Sequence, residues 1–308
     1  MNKFDLALIG LLLLSVGLPI AACAFVIIRK RLSNWGVLAL LSLTSSGAVY
    51  LFFANAWSLI SYWWIVAVIV AVIWALVSGV RRLRKGTWQY PGVVASLFSG
   101  LLLAISAYFI LLDITAIGNT RPPAESVELA FPFKDGVFAI VQGGAGRPMQ
   151  GPHLQSPAQV FALDITRINL AGLGRSSLST ADREKWAVWE QPVLSPCGGK
   201  VVFARDGIID RVGVDRETPA GNMVAIECEG VIVLLGHFRQ GSVQVITGDT
   251  VVTGQLLGAN GTSGNTPAPH LHMHVEKPPF DGEFSRNDGV AITFDGRFLW
   301  KPGLVIMD

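Results

Sequence analysis

Residues 32 to 80 contain no charged side chain, and this stretch constrains the chain more than any other. A bilayer-spanning helix needs about 20 apolar residues, so the run is too long for one span. Asn55-Ala-Trp57-Ser58 divides it, predicting spans near Trp35–Ala54 and Leu59–Val80. Leu6 to Ile28 is a further uncharged run, ended by Arg29-Lys30-Arg31. A fourth runs from about Val93 to Leu112, after Arg81, Arg82, Arg84 and Lys85. Four transmembrane α-helices are predicted, with Trp57, Trp63 and Trp64 placed in an interfacial belt. None has an ionisable residue mid-span, which favours anchoring over transport. Hydrophobic residues at 51% against 15% charged are likewise too apolar for an ordinary soluble chain.

The net charge of +2 hides an asymmetry. Residues 1–112 hold eight Lys/Arg against one acid, and residues 113–308 hold 16 against 21. Basic loops stay in the cytoplasm. The clusters at 29–31 and 81–85 lie in the first and third connections, so both termini are predicted outside. Ile20-Ala-Ala-Cys23 is similar to a lipoprotein cleavage box, but cleavage there would reverse both clusters, and Cys23 is read as helix packing. The acidic C-terminal half lacks a basic patch interleaved with aromatics, which excludes nucleic acid as the expected partner. The lipid bilayer is the first expected partner.

Beyond residues 118–130, a linker marked by Pro122-Pro123, the periodicity changes. Gly136–Val141, Gly198–Ala204, Gly221–Glu227 and Val231–His237 are runs of β-formers bounded by Gly, Asn and Asp, the pattern of antiparallel strands. Ser179–Trp189 alone looks briefly helical, inside a looser insertion from about Thr166 to Glu190. The fold class is therefore multi-domain: a four-helix transmembrane region over 1–117, then a mainly antiparallel β domain over 131–308. Cys197 and Cys228 flank two of these strands and form a disulfide if this half faces an oxidising compartment; sequence leaves their separation open.

Three of the five histidines lie in Pro269-His270-Leu-His272-Met-His274-Val275. Alternate residues of a strand share a face, so the three rings point one way, with Leu271, Met273 and Val275 behind them in the core. The bland alternative is a solvated polar face that happens to be rich in histidine. Neutral imidazole suits zinc.

The chain resembles the M23 family of zinc metallopeptidases, the LytM-like or lysostaphin-like peptidases, from about Phe131 to Glu276. The resemblance is carried by Gly221-Asn222, Leu235-Gly-His237, Gly248-Asp249-x-Val-x-x-Gly254-Gln255, Gly261-x-Ser-Gly264-Asn265 and Pro269-His270-Leu-His272. It implies that His153, Asp164 and His272 bind one Zn2+ per chain, and that His237 and His270 act catalytically beside it. The spacing departs from the commonest form, because His153 and Asp164 stand eleven apart; Gln159-Val-Phe161-Ala-Leu-Asp164 is similar to a looser variant. Read singly, Asp164 can end a strand, His153 can be loop surface, and His237 can be a hydrogen-bonded core residue. His274 is assigned a supporting or structural place only. Two imidazoles and one carboxylate leave a fourth zinc position open for water.

The resemblance implies a zinc metalloendopeptidase anchored in a bacterial inner membrane, its β domain facing the envelope and its substrate peptidoglycan peptides. A non-catalytic module that activates cell-wall hydrolases, and cleavage of another protein or peptide, are the readings it must be tested against.

Overall fold

The computed structural model describes residues 10, 13–28, 32–86, 88, 91–177, 179, 182–282 and 285–308. The chain divides into two compact units, Met1–Gly118 and Asn119–Asp308.

In the first unit the helices are α1 (Leu18–Ile28, preceded by a π turn over Leu13–Gly17), α2 (Asn34–Ala54), the single-turn α3 (Trp57–Ile60), α4 (Trp63–Lys85) and α5 (Val93–Gly118). Three of them, α2, α4 and α5, are long and apolar enough to cross a membrane. The first predicted span begins among residues 1–9, and the 29–31 cluster also lies outside the described residues; what is described of that span is a shorter apolar helix over Leu14–Val26. Helix α2 starts where Ser33 accepts a hydrogen bond from the Gly36 amide at 3.1 Å, which satisfies one of the orphan donors of a helix start. Small polar residues tie α2 to α5: Ser42 Oγ lies 2.6 Å and Ser46 Oγ 3.2 Å from Ser106 Oγ, a common way for apolar helices to hold together. Trp57 departs from the predicted belt. It is buried with Val16, Ile60 and Val68, and its indole donates to the Phe52 carbonyl at 2.9 Å. Trp63 and Trp64 are exposed.

The second unit is built from thirteen strands among the described residues: β1 (Ser126–Glu128), β2 (Gly136–Gln142), β3 (Leu163–Ile168), β4 (Pro192–Leu194), β5 (Gly199–Arg205), β6 (Asn222–Cys228), β7 (Val231–Phe238), β8 (Thr250–Val251), β9 (Leu256–Ala259), β10 (Leu271–Glu276), β11 (Ala291–Phe294), β12 (Arg297–Phe298) and β13 (Leu304–Met307). The main sheet runs in the order β13-β2-β3-β10-β7-β6-β5-β8, and its neighbouring strands pair antiparallel. Part of the predicted linker is structured, since β1 pairs in parallel with β11. The brief helix expected over Ser179–Trp189 is, among its described residues, a 3-10 turn at Arg183–Lys185.

Alternation places Leu271, Met273 and Val275 of β10 in one apolar core with Leu163 and Ile165 of β3 and Val233 and Leu235 of β7. Val193 of β4, Leu257 of β9 and Ile292 of β11 close that core. Each such side chain contributes about 1.5–3 kcal/mol on leaving water. The opposite face of β10 is buried as well, down to Glu276 at 0% exposure, so the strand is covered on both sides rather than half-buried. Two 3-10 turns, Pro152–Gln155 and Pro157–Gln159, supply the cover, and the second packs against β10.

Cys197, just before β5, is bonded to Cys228 at the end of β6, 31 residues on. Cross-linking a loop of this size reduces the freedom of the unfolded chain. Replacing both cysteines by alanine is expected to destabilise the unit by about 2–4 kcal/mol, read as a lower denaturation midpoint; an unchanged midpoint would remove the bond from the account of stability.

Candidate metal centre

Asp164 and His272 are directly paired residues of β3 and β10. Side chains paired across an antiparallel ladder share a face, so this register alone brings carboxylate and imidazole together. His272 Nδ1 lies 3.0 Å from Asp164 Oδ1. His153, on the first 3-10 turn, brings its Nε2 to 3.4 Å from the same oxygen. Donor atoms of His153, Asp164 and His272 all lie within 4.8 Å of one another. Two nitrogens and one oxygen at such separations fit the donor set that zinc takes. His270 Nε2 is also 3.4 Å from Asp164 Oδ1, so three imidazoles converge on a single oxygen.

His237 closes the cluster, its ring 4.7 Å from that of His270 and 5.9 Å from that of His272. It lies near the end of β7 with φ +66, off strand geometry, while its neighbour Gly236 stands opposite His272. All five rings or carboxylates are buried.

Each ring has one nitrogen committed to an acceptor. His153 Nδ1 donates to Gln150 Oε1 at 2.9 Å, and the same amide donates to the Ala162 carbonyl at 2.6 Å. His237 Nδ1 donates to the Ser263 carbonyl at 2.7 Å, and His270 Nδ1 to the Ala268 carbonyl at 2.8 Å. His272 Nε2 lies 2.9 Å from His274 Nδ1. His272 Nδ1 is also 3.0 Å from Asp164 Oδ1, so the proton can sit on either nitrogen; with it on Nε2, held by His274, Nδ1 has its lone pair free for an ion shared with Asp164. His274 therefore has a definite place, as the partner that orients His272.

Sequence reading missed Gln150 and the Ser263 carbonyl. Ser263 belongs to the glycine-rich motif at 261–264, and its position depends on Gly221. At Gly221 φ is +62, and a Cβ there would meet the Ser263 carbonyl at 2.3 Å. Lys301 is buried, and burial lowers its pKa to about 8 against the opposing pull of Asp164.

The electrostatics separate the histidines. Burial brings His153 down to about 4, partly offset by Asp164. Burial also holds His237 well below the usual imidazole range. For His270 burial acts in the same direction, but the Asp164 carboxylate outweighs it and the pKa is raised. Burial would raise Asp164, yet the facing imidazoles hold it well below the ordinary carboxylate range.

Two expectations follow from this geometry. In metal-free protein the His153 ring stays neutral down to about pH 4. Between an ordinary imidazole pKa and that value the unfolded chain binds a proton that the folded chain does not, so this group's contribution to stability falls as pH falls through that window. Ring titration by NMR checks it, and a midpoint near 6.5 would contradict it. Gly221→Ala is expected to displace Ser263 and release the His237 ring, seen as loss of the protected His237 Nδ1 proton in the same spectra.

Residues 186–287 match the peptidase family M23, about a third of the chain. That segment contains His237, His270, His272 and His274 but neither His153 nor Asp164. No curated protein matches the chain. Among solved structures the chain is similar to a mutant catalytic domain of the prophage-encoded M23 protein EnpA from Enterococcus faecalis, at 18% identity, covering 51% of this chain and 93% of that one, with a TM-score of 0.33. It is also similar to the antimicrobial peptidase lysostaphin from Staphylococcus simulans (17% identity, 53% and 50% covered, TM-score 0.28). A zinc-containing peptidase from Vibrio cholerae aligns at 19% identity, with 55% and 39% covered and a TM-score of 0.30. The family match, which holds four of the chain's five histidines, and the antiparallel sheet together give the β unit a fold of the M23 peptidase type, preceded by apolar helices that fit a membrane anchor.

Proposed function

We propose that this chain is a membrane-anchored zinc endopeptidase of the bacterial cell envelope, acting on peptidoglycan peptides. The observation that carries the reading is the convergence of His153 Nε2 and His272 Nδ1 on Asp164 Oδ1, at 3.4 and 3.0 Å. His153, Asp164 and His272 would hold the ion. Zinc at such a three-donor site supplies Lewis acidity toward a peptide carbonyl and an acidified water.

The chain's own residues divide the proton work. His237, held neutral by burial and fixed through Nδ1 by Ser263, is suited to accept a proton at Nε2. His270 carries the raised pKa and is suited to donate one. Two neighbouring groups pushed apart in this way are a recurrent acid–base arrangement. His274 holds His272 from behind and Gln150 does the same for His153. The cluster is buried, which strengthens each of these interactions relative to water.

The apolar helices support an anchor, and the charge-free 54–58 turn between two basic connections supports both termini lying outside the cytoplasm. The disulfide supports the same side, since such bonds persist in oxidising compartments.

The chain is expected to carry about one zinc per molecule and to lose it on His272→Ala, by metal analysis. His237→Ala and His270→Ala should keep the metal and lower turnover on isolated cell-wall fragments by ~10²–10³-fold. A zinc-free wild-type protein would leave a non-catalytic module of the same fold. Separately, a reporter fused after Asp308 should be active only outside the cytoplasm; a cytoplasmic signal would reverse the assigned orientation.

A further inference from the structure

A cavity of about 490 Å³ lies between the 183–190 segment and the turn after β7. Arg183, Glu184, Trp189, Glu190, Asp210 and Arg239 line it, and none of them belongs to the metal centre. Its wall shares backbone with that centre. Arg239 stands two residues after His237, the Gly261 amide donates to the His237 carbonyl at 2.9 Å, and the Glu190 amide donates to the Asn260 carbonyl at 2.9 Å.

The charges in the wall are unequally occupied. Asp210 is consumed internally, its carboxylate accepting from the amides of Gln240 and Thr262, each at 2.8 Å. Arg183 gives one nitrogen to the Asp210 carbonyl at 2.7 Å and lies 5.2 Å from the centre of the Trp189 ring. Arg239 Nε is buried without a hydrogen bond. Glu190 stands opposite it at 3.6 Å, beyond hydrogen-bonding distance. Both side chains are partly exposed, at 39% and 56%, and an ion pair of this kind adds little stability, so a ligand can part it and uncover the Nε. The unfilled donor favours a ligand that fills it.

A lone anion entering here would meet Glu184 and Glu190, and a lone cation would meet two guanidiniums. A group carrying both signs one carbon apart avoids both conflicts. We propose that this cavity is a subsite for a free amino-acid centre, its α-carboxylate taken by Arg239 and its α-ammonium by Glu190. The inference rests on the endopeptidase reading only in calling the ligand part of a substrate; the binding itself does not require a metal.

The test uses the full chain in detergent and Nε-acetyl-lysine, whose two α groups are free at the end of a stem. Calorimetric titration is expected to give saturable binding. Capping the α-amine or amidating the α-carboxyl of the probe should weaken it about tenfold, and Arg239→Gln or Glu190→Gln to a similar degree. Absence of saturation, equal binding of the capped probes, or indifference to both substitutions would overturn the proposal. Zinc content, measured on the same preparations, decides the endopeptidase reading independently and shows whether the Arg239 and Glu190 variants keep their fold.

Discussion

A single carboxylate oxygen buried among imidazoles is the interaction on which the β unit's chemistry depends. Three ring nitrogens lie within 3.4 Å of Asp164 Oδ1. An ionised carboxyl withdrawn from water is costly unless charge or hydrogen bonds meet it. The antiparallel register of β3 against β10 creates the meeting, since a one-residue slip would send either side chain to the opposite face. The 3-10 turns over residues 152–159 then bring His153 across that face and seal it.

The cluster is held from behind by ordinary backbone. Carbonyls of Ser263 and Ala268, the amide of Gln150 and the ring of His274 each take one nitrogen of a cluster histidine. The other nitrogen is left facing the shared centre, so ring orientation is set before any ligand arrives, as is the tautomer of His153, His237 and His270. Gly221 has a related duty at a distance, because its missing side chain lets Ser263 approach. This is why the glycine turns belong to the same constellation as the histidines.

The same locality explains which sequence readings survive in the structure. Helices α2, α4 and α5 follow from uninterrupted apolar runs, since span length is a property of composition alone. Their limits are less regular: α4 continues through the basic cluster to Lys85, and α5 through Asp113 to Gly118. Trp57 illustrates what composition cannot supply, because a tryptophan beside a turn serves an interface or a helix junction equally well. The alternation in β10 separates core from histidine face as predicted, but the burial of the second face comes from distant turns. The role of Gln150, from a Gly/Pro-rich loop, has no periodic signal at all.

From sequence alone came the apolar helices, the antiparallel β class, the shared face of His270, His272 and His274, and, through resemblance, the grouping of His153, Asp164 and His272. These are local properties, or motifs whose order along the chain is itself informative. Tertiary structure decided the rest: that residues eleven and 119 positions from His153 share one buried centre with it, that Cys197 meets Cys228, and that Arg239 faces Glu190 across a cavity. Such distances follow from strand register and loop closure, which arise from packing of the whole unit and leave no trace in the spacing of any one segment.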